Sequence, residues 1–397
     1  MIGKTIISLV SVLFIAHIIH LLGIFSTNLE YQEKYSDCEY LQTQGFDSIG
    51  PEDSVFYNKD ILITMQANLY KAFEGMESIE TVQKGGFYAV YGISTGKLEA
   101  KKIQIKNYPD NIFLIPHGIY LRDSNYLSVI NHSFYTGGER VETFRILLDE
   151  KGQVALEYLH YTKMDDKFNG ITNDLVFLTS ERFLISDCMV FPAPLSGPKD
   201  QPAWQKVLTF VTQILKIKTT YVWDCKYVQG GLATCGKLRN SAGIMINGIA
   251  FDGNETIAVA DTADRQIKLF RLNNSNKEIE LIQNISVDQL PDNITYDPVN
   301  KQFISAGLNS AFEYLTLSPK IEQIQKNPTK KSIVDMQAKV HTIKLNPITK
   351  QFESQLLLSS SKAVAGISGA LIDESQKYLF LTSFPDKSLV VCTRRSQ

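Results

Sequence analysis

The chain has 397 residues, 44% of them hydrophobic and 21% charged, which is ordinary globular composition with ample material for a large core. The formal net charge is -2, and lysines and arginines are scattered without a basic block. That distribution excludes the electrostatic footprint of a nucleic-acid binder.

The first element is different in kind from the rest. From Thr5 to Phe25 the chain is almost wholly apolar for 21 residues, and no charged residue follows Lys4 until Glu30. Such a stretch is long enough to span a bilayer as a helix and sends the chain into the secretory pathway. No small-x-small cleavage site follows it, which favours an uncleaved signal or anchor over residues 1–27 with the bulk of the chain on the non-cytoplasmic side; a cleaved signal peptide is the alternative. Five cysteines suit that compartment. Cys38 precedes the first strand and Cys392 lies in the last, so a bridge between them would tie the chain ends together. Cys225 and Cys235 flank Gly230-Gly231 as a local staple, and Cys188 is left over. Sequons at Asn131, Asn254, Asn273 and Asn284 are compatible with secretion.

From Cys38 to residue 397 strand patterning dominates, and the region reads as one all-β domain. A unit recurs along it: a polar residue or pair, an apolar run, a turn, and a second apolar run. It begins at Glu52-Asp53, His117-Gly118, Asn173-Asp174, Asn247-Gly248, Asp292-Asn293 and Ser368-Gly369. The spacings are 65, 56, 74, 45 and 76 residues, the shortest close to one four-stranded blade with the excess in loops. A six-bladed β-propeller with a central tunnel follows, each polar start lying near the axis and the Cys38–Cys392 bridge closing the circle. One amphipathic helix interrupts the strands near 203–218. Its apolar stripe, Trp204, Val207, Leu208, Val211, Ile214 and Leu215, suits either packing against the blades or lying on a lipid surface. Gly92-Ile93-Ser94-Thr95-Gly96 fits the nucleophile-elbow pattern but stands between two strand-like runs, where a hairpin turn is the simpler reading.

Gathered at one tunnel end, Glu52, Asn173, Asn247, Asp292 and Asn293 offer carboxylate and amide oxygens. Calcium takes six to eight such ligands in flexible geometry, whereas zinc or copper calls for more His or Cys. Neighbouring side chains on a strand alternate faces, so Asp53 and Asp174 point away from that set and would share a second, deeper cation. His117 stands at a marker position and is a base suited to neutral pH.

The run Cys38-Glu39, Gly50-Pro51-Glu52-Asp53, Pro116-His117-Gly118-Ile119, Val129-Ile130-Asn131-His132, Asn173-Asp174-Leu175-Val176, Ile246-Asn247-Gly248-Ile249, Asp292-Asn293-Ile294-Thr295 and Cys392 resembles the paraoxonase family of arylesterases and lactonases in order and spacing. The resemblance implies two calcium ions. Glu52, Asn173, Asn247, Asp292 and Asn293 would hold the catalytic one, and Asp53, Asp174 and the carbonyl of Ile119 the structural one. It further implies His117 and His132 as a water-activating pair and Tyr70 as a pocket residue. Ser186-Asp187-Cys188 departs from the family's usual Asn-Asp-His run, and residues 192–227 and 309–342 look remodelled, which leaves substrate choice open. The expected activity is hydrolysis of a small ester or lactone, with a membrane or lipid surface as a possible partner through residues 5–25 and 203–218. A sugar-lactone hydrolase of the related propeller superfamily and a non-catalytic calcium-stabilised propeller are the alternatives.

Overall fold

Short apolar and β-branched runs, punctuated by Gly, Pro, Asn and Asp turns, make about half of the described residues β-strand. The computed structural model describes residues 28–41, 50–69, 84–165, 170–194, 200–273, 278–327 and 331–395, with 16, 18, 22, 23, 168 and 329. The hydrophobic stretch 5–25 thus lies almost wholly outside the described residues, as does Tyr70. Among the described residues no helix is long and apolar enough to cross a membrane.

Consecutive strands pair antiparallel into small sheets. Ser54–Asn58 leads one four-stranded sheet, Ile246–Phe251 a second, Leu290–Asp297 a third and Ile367–Ile372 a fourth. A nine-stranded sheet contains two antiparallel runs, led by Pro116–Asp123 and Ile171–Thr179, which are joined where Val154–Met164 and Leu232–Lys237 pair in parallel. These leading strands are labelled β1 (Ser54–Asn58), β2 (Pro116–Asp123), β3 (Ile171–Thr179), β4 (Ile246–Phe251), β5 (Leu290–Asp297) and β6 (Ile367–Ile372). Each packs beside the next, and β6 returns beside β1, so the leading strands surround an axis in a β-propeller-like arrangement.

Close approach of those strands needs missing side chains. A Cβ on Gly118 would come within 2.6 Å of the Asn173 carbonyl oxygen, and one on Gly248 within 2.5 Å of the Asn293 Cα. The glycines that follow His117 and Asn247 therefore let β2 reach β3 and β4 reach β5. Between neighbouring sheets the core is apolar and largely buried. Phe87 and Phe144 meet edge to face with centroids 5.7 Å apart, and Phe56 meets Phe380 at 5.9 Å. Pairs of this geometry contribute about 1 kcal/mol each beyond their buried area.

Closure comes from the termini. Tyr35–Tyr40 pairs antiparallel with Val390–Arg394, and Cys38 is bonded to Cys392 across 354 positions. Cys225 is bonded to Cys235, which stands opposite it on the adjacent strand. Cys188 is buried and unbridged.

Helix α1 (Ala203–Ile214) is shorter than the 203–218 region read from sequence, because Lys216 takes the left-handed conformation (φ 53°) just past it. Most of its apolar residues do not pack inward: Trp204, Val207, Phe210 and Leu215 are more than half exposed, while Thr212 and the stripe residue Ile214 are buried. Gly92–Gly96 is an exposed hairpin turn in which Ser94 Oγ donates to Asp60, with no helix after it.

Replacing Cys38 and Cys392 together by serine should cost up to about 5 kcal/mol of stability, since the bridge closes a very long loop. Thermal unfolding of the double variant checks this; an unchanged midpoint would mean that strand pairing alone closes the ring.

Candidate functional site

The polar residues that open the leading strands converge at one end of the axis. Glu52, two residues before β1, accepts from Asn293 Nδ2 at 2.8 Å through Oε1, and its carbonyl accepts from Ser368 Oγ at 2.6 Å. These contacts join β1 to β5 and β6. His117 Nε2 lies 3.6 Å from the same Oε1 and 3.4 Å from Asn173 Nδ2, which brings in β2 and β3. The Asn247 side chain bonds Asp292, adding β4. Glu52, Asn173, Asn247, Asn293 and His117 are all at most 7% exposed.

Three oxygens in this cluster are buried without any hydrogen-bond donor: Glu52 Oε2, Asn173 Oδ1 and Asn247 Oδ1. An orphaned buried acceptor costs about 1–3 kcal/mol. Several in one place mark a position that a cation would occupy. Asp292 is raised well above the usual carboxylate range by burial and then by the charge of Glu52. Hard oxygen donors of this mixed carboxylate and amide kind fit calcium. Among the described residues, no group of three His, Cys, Asp or Glu side chains is arranged to hold a metal by itself.

Asp53 turns the other way. Its Oδ2 accepts from the Ile119 backbone N–H at 2.8 Å and its Oδ1 from Ser54 N–H at 2.7 Å. Asp174 likewise accepts from Ile249 N–H at 2.8 Å and from Leu175 N–H at 2.7 Å. Burial, then the Glu52 charge, pushes Asp53 up to about 8, and burial with the Asp53 charge pushes Asp174 well above its usual value. Ile119 touches this pair through its N–H. The pair also lines a cavity of about 340 Å³ at the far end of the axis, walled by Val55, Phe56, Leu175, Ile249 and Ile294.

His117 is the first of a hydrogen-bonded chain. Its Nδ1 lies 2.8 Å from His132 Nε2, and His132 Nδ1 lies 2.6 Å from Glu139 Oε1. Burial disfavours charging His117, but Glu52, with Asp292 and Asp53 behind it, holds its pKa above that of an ordinary histidine. His132 falls well below, through burial and then the proximity of His117. Phe134 stacks on His132 at 4.9 Å and fixes its plane.

Sequence reading missed Glu139, since no strand periodicity links it to His132; the connection runs through a short 3-10 turn at Phe134–Thr136. Asp187 accepts from Trp223 Nε1 and from Tyr221 N–H, and burial lifts its carboxyl to about 7. Burial also pushes up the thiol of Cys188, which makes it a poor nucleophile. Of the sequons, Asn131 is fully buried and donates to Glu142, while Asn254, Asn273 and Asn284 are exposed.

A β-propeller-like fold with an oxygen-lined axial cluster beside a buried histidine pair defines the class. The arylesterase family model matches residues 60–311. This chain belongs to that arylesterase, or paraoxonase, family.

No curated protein sequence matches the chain. Among solved structures, a protein provisionally described as a gluconolactonase aligns at 12% identity over 93% of this chain and 98% of its own, with TM-score 0.49. A gluconolactonase from Xanthomonas campestris aligns at 14% over 93% and 99% (TM-score 0.43). A luciferin-regenerating enzyme aligns at 13% over 90% and 95% (TM-score 0.47). Likenesses below 0.5 decide nothing further about this chain.

The raised carboxyls fix a pH dependence. Because the folded pKa of Asp53 is about 8 against an ordinary 3.8, its contribution to stability is complete below the ordinary value and is lost as pH rises toward 8. Chelator-treated protein should therefore melt at lower temperature at pH 8 than at pH 5, and saturating calcium should flatten that slope. Identical slopes with and without calcium would show that no cation neutralises this carboxylate.

Proposed function

We propose that this chain is a calcium-dependent hydrolase of esters and lactones built on a six-bladed β-propeller. The observation that supports it most directly is the convergence of three donor-less buried oxygens, Glu52 Oε2, Asn173 Oδ1 and Asn247 Oδ1, beside His117. Glu52, Asn173, Asn247, Asp292 and Asn293 would hold one calcium, and Asp53 and Asp174, with the Ile119 carbonyl, a second. When bound, the first ion would polarise the substrate carbonyl and offset the negative charge that develops on its oxygen.

The chain's own residues supply the proton chemistry. With the Nδ1 proton of His117 donated to His132, the Nε2 lone pair faces the oxygen cluster and takes a proton from an attacking water. Asn173 Nδ2, 3.4 Å away, steadies that ring edge. The Gly118 contact, which allows no side chain, keeps the ring against β3. His132 receives the Nδ1–H of His117 and steadies the positive charge.

Secretion, with the propeller on the non-cytoplasmic side of a membrane or outside the cell, agrees with both disulfides. A lipid surface as partner is supported by the outward stripe of α1, where Trp204 and Val207 are each 61% exposed.

Hydrolysis of aliphatic lactones, sugar lactones and aryl esters, measured with and without a chelator, tests the function. Chelation and Asn247→Ala should each lower turnover by about 10²-fold or more. Aliphatic lactones and aryl esters should exceed sugar lactones. Turnover that survives both treatments would contradict the mechanism, and calcium binding without any turnover would leave a binding propeller.

A further inference from the structure

The histidine pair does not end at His132. Beyond it the chain runs from β2's neighbouring strand Tyr126–Asn131 into the turn at Phe134–Thr136, through Gly137 and Gly138, both with positive φ (110° and 80°), and back to Glu139. That reversal lays the Glu139 carboxylate on the outer nitrogen of His132, at 2.6 Å. Glu139 is held in turn by β3: Thr172 donates its N–H to Oε2 at 3.2 Å and its hydroxyl to Oε1 at 3.1 Å. Its side chain is 14% exposed and that of His132 is 0% exposed. Asp187 and Cys188, the other titratable groups near this carboxylate, feel it only through its charge.

We propose that Glu139 is a positioning residue for the hydrolysis proposed above, fixing the ring tautomers of His132 and His117 so that His117 presents a lone pair to the axial cluster. The reasoning is that each imidazole in the row has one proton to place. An acceptor at the outer end takes the Nδ1–H of His132, which leaves His132 Nε2 bare; that nitrogen takes the Nδ1–H of His117, which leaves His117 Nε2 bare. A donor at the outer end would reverse every bond and turn an N–H toward the water. Burial pushes the Glu139 carboxyl up to about 8, and the two donors from Thr172 and the charge of His117 work against that push and favour the ionised carboxylate, the form that accepts. During proton uptake one proton moves from water to His117 Nε2 and hydroxide leaves toward the carbonyl. The positive charge stays on His117, whose Nδ1–H remains in its bond to His132, and the His132–Glu139 contact behind it steadies that charge without the carboxylate being protonated.

The inference rests on the hydrolase reading, and the test separates the two. Ring-nitrogen NMR of the wild-type chain in calcium reports which nitrogens carry protons. Protonated Nδ1 and bare Nε2 on both His117 and His132, with a far-downfield His132 Nδ1–H, is the expected pattern; the reverse tautomers overturn the proposal whatever the variants do. In Glu139→Gln the downfield proton should move upfield and kcat should fall by about 10²-fold with KM changed by less than about twofold. Glu139→Asp, which keeps the charge, should recover part of that loss. An unchanged kcat in Glu139→Gln, or an Asp variant no better than the Gln one, would overturn it. A wild type that hydrolyses neither ester nor lactone removes the catalytic role along with the functional reading, while the NMR pattern still decides the contact.

Discussion

Everything at the axis depends on how buried carboxylates are held beside one another. Glu52, Asp53 and Asp174 are each at most 7% exposed, and the groups that press on Asp53 include Glu52 itself. Removing such charges from water without compensation costs several kcal/mol apiece. Backbone N–H donors from Ile119, Ser54, Ile249 and Leu175 offset part of that for the lower pair. In the upper cluster two amide oxygens, of Asn173 and Asn247, are instead buried with no donor of their own. The calcium proposed above would lie against those oxygens and offset the repulsion among the carboxylates around them.

The architecture serves that constraint. Residues from Glu52 to Ser368 reach one another only because β6 returns beside β1 and the Cys38–Cys392 bridge pins the final sheet. Long-range contacts of this kind cost loop entropy that the disulfide reduces. Glycines at 118 and 248 remove the Cβ atoms that would hold the leading strands apart. The same narrowing that packs the strands brings their polar ends within hydrogen-bonding reach, so fold closure and site assembly are one event.

Much of this was legible in the residues. The apolar runs between turn residues mark the strands, their polar starts lie at the openings of the leading strands, and the adjacent Glu52 and Asp53 meet different neighbours, as alternation along an extended chain leads one to expect. What sequence could not show follows from turns and from exposure. Glu139 reaches His132 by a reversal over seven residues, which leaves no periodic signal. The apolar stripe of α1 has the pattern of a buried helix, yet Trp204 and Val207 face outward, because periodicity says that one face is apolar and not what covers it. Asn131 satisfies the sequon pattern but is fully buried on Glu142 and Tyr108, a reminder that a three-residue motif carries no information about depth.

The most direct test of the account is the amount of calcium that remains on the purified chain after gel filtration, counted by atomic spectroscopy for the wild type and for Glu52→Gln and Asp53→Asn. Two ions on the wild type, with each substitution weakening retention of a different one, is the result that two separate axial clusters require. No retained calcium, or loss of the same single ion in both variants, would contradict it.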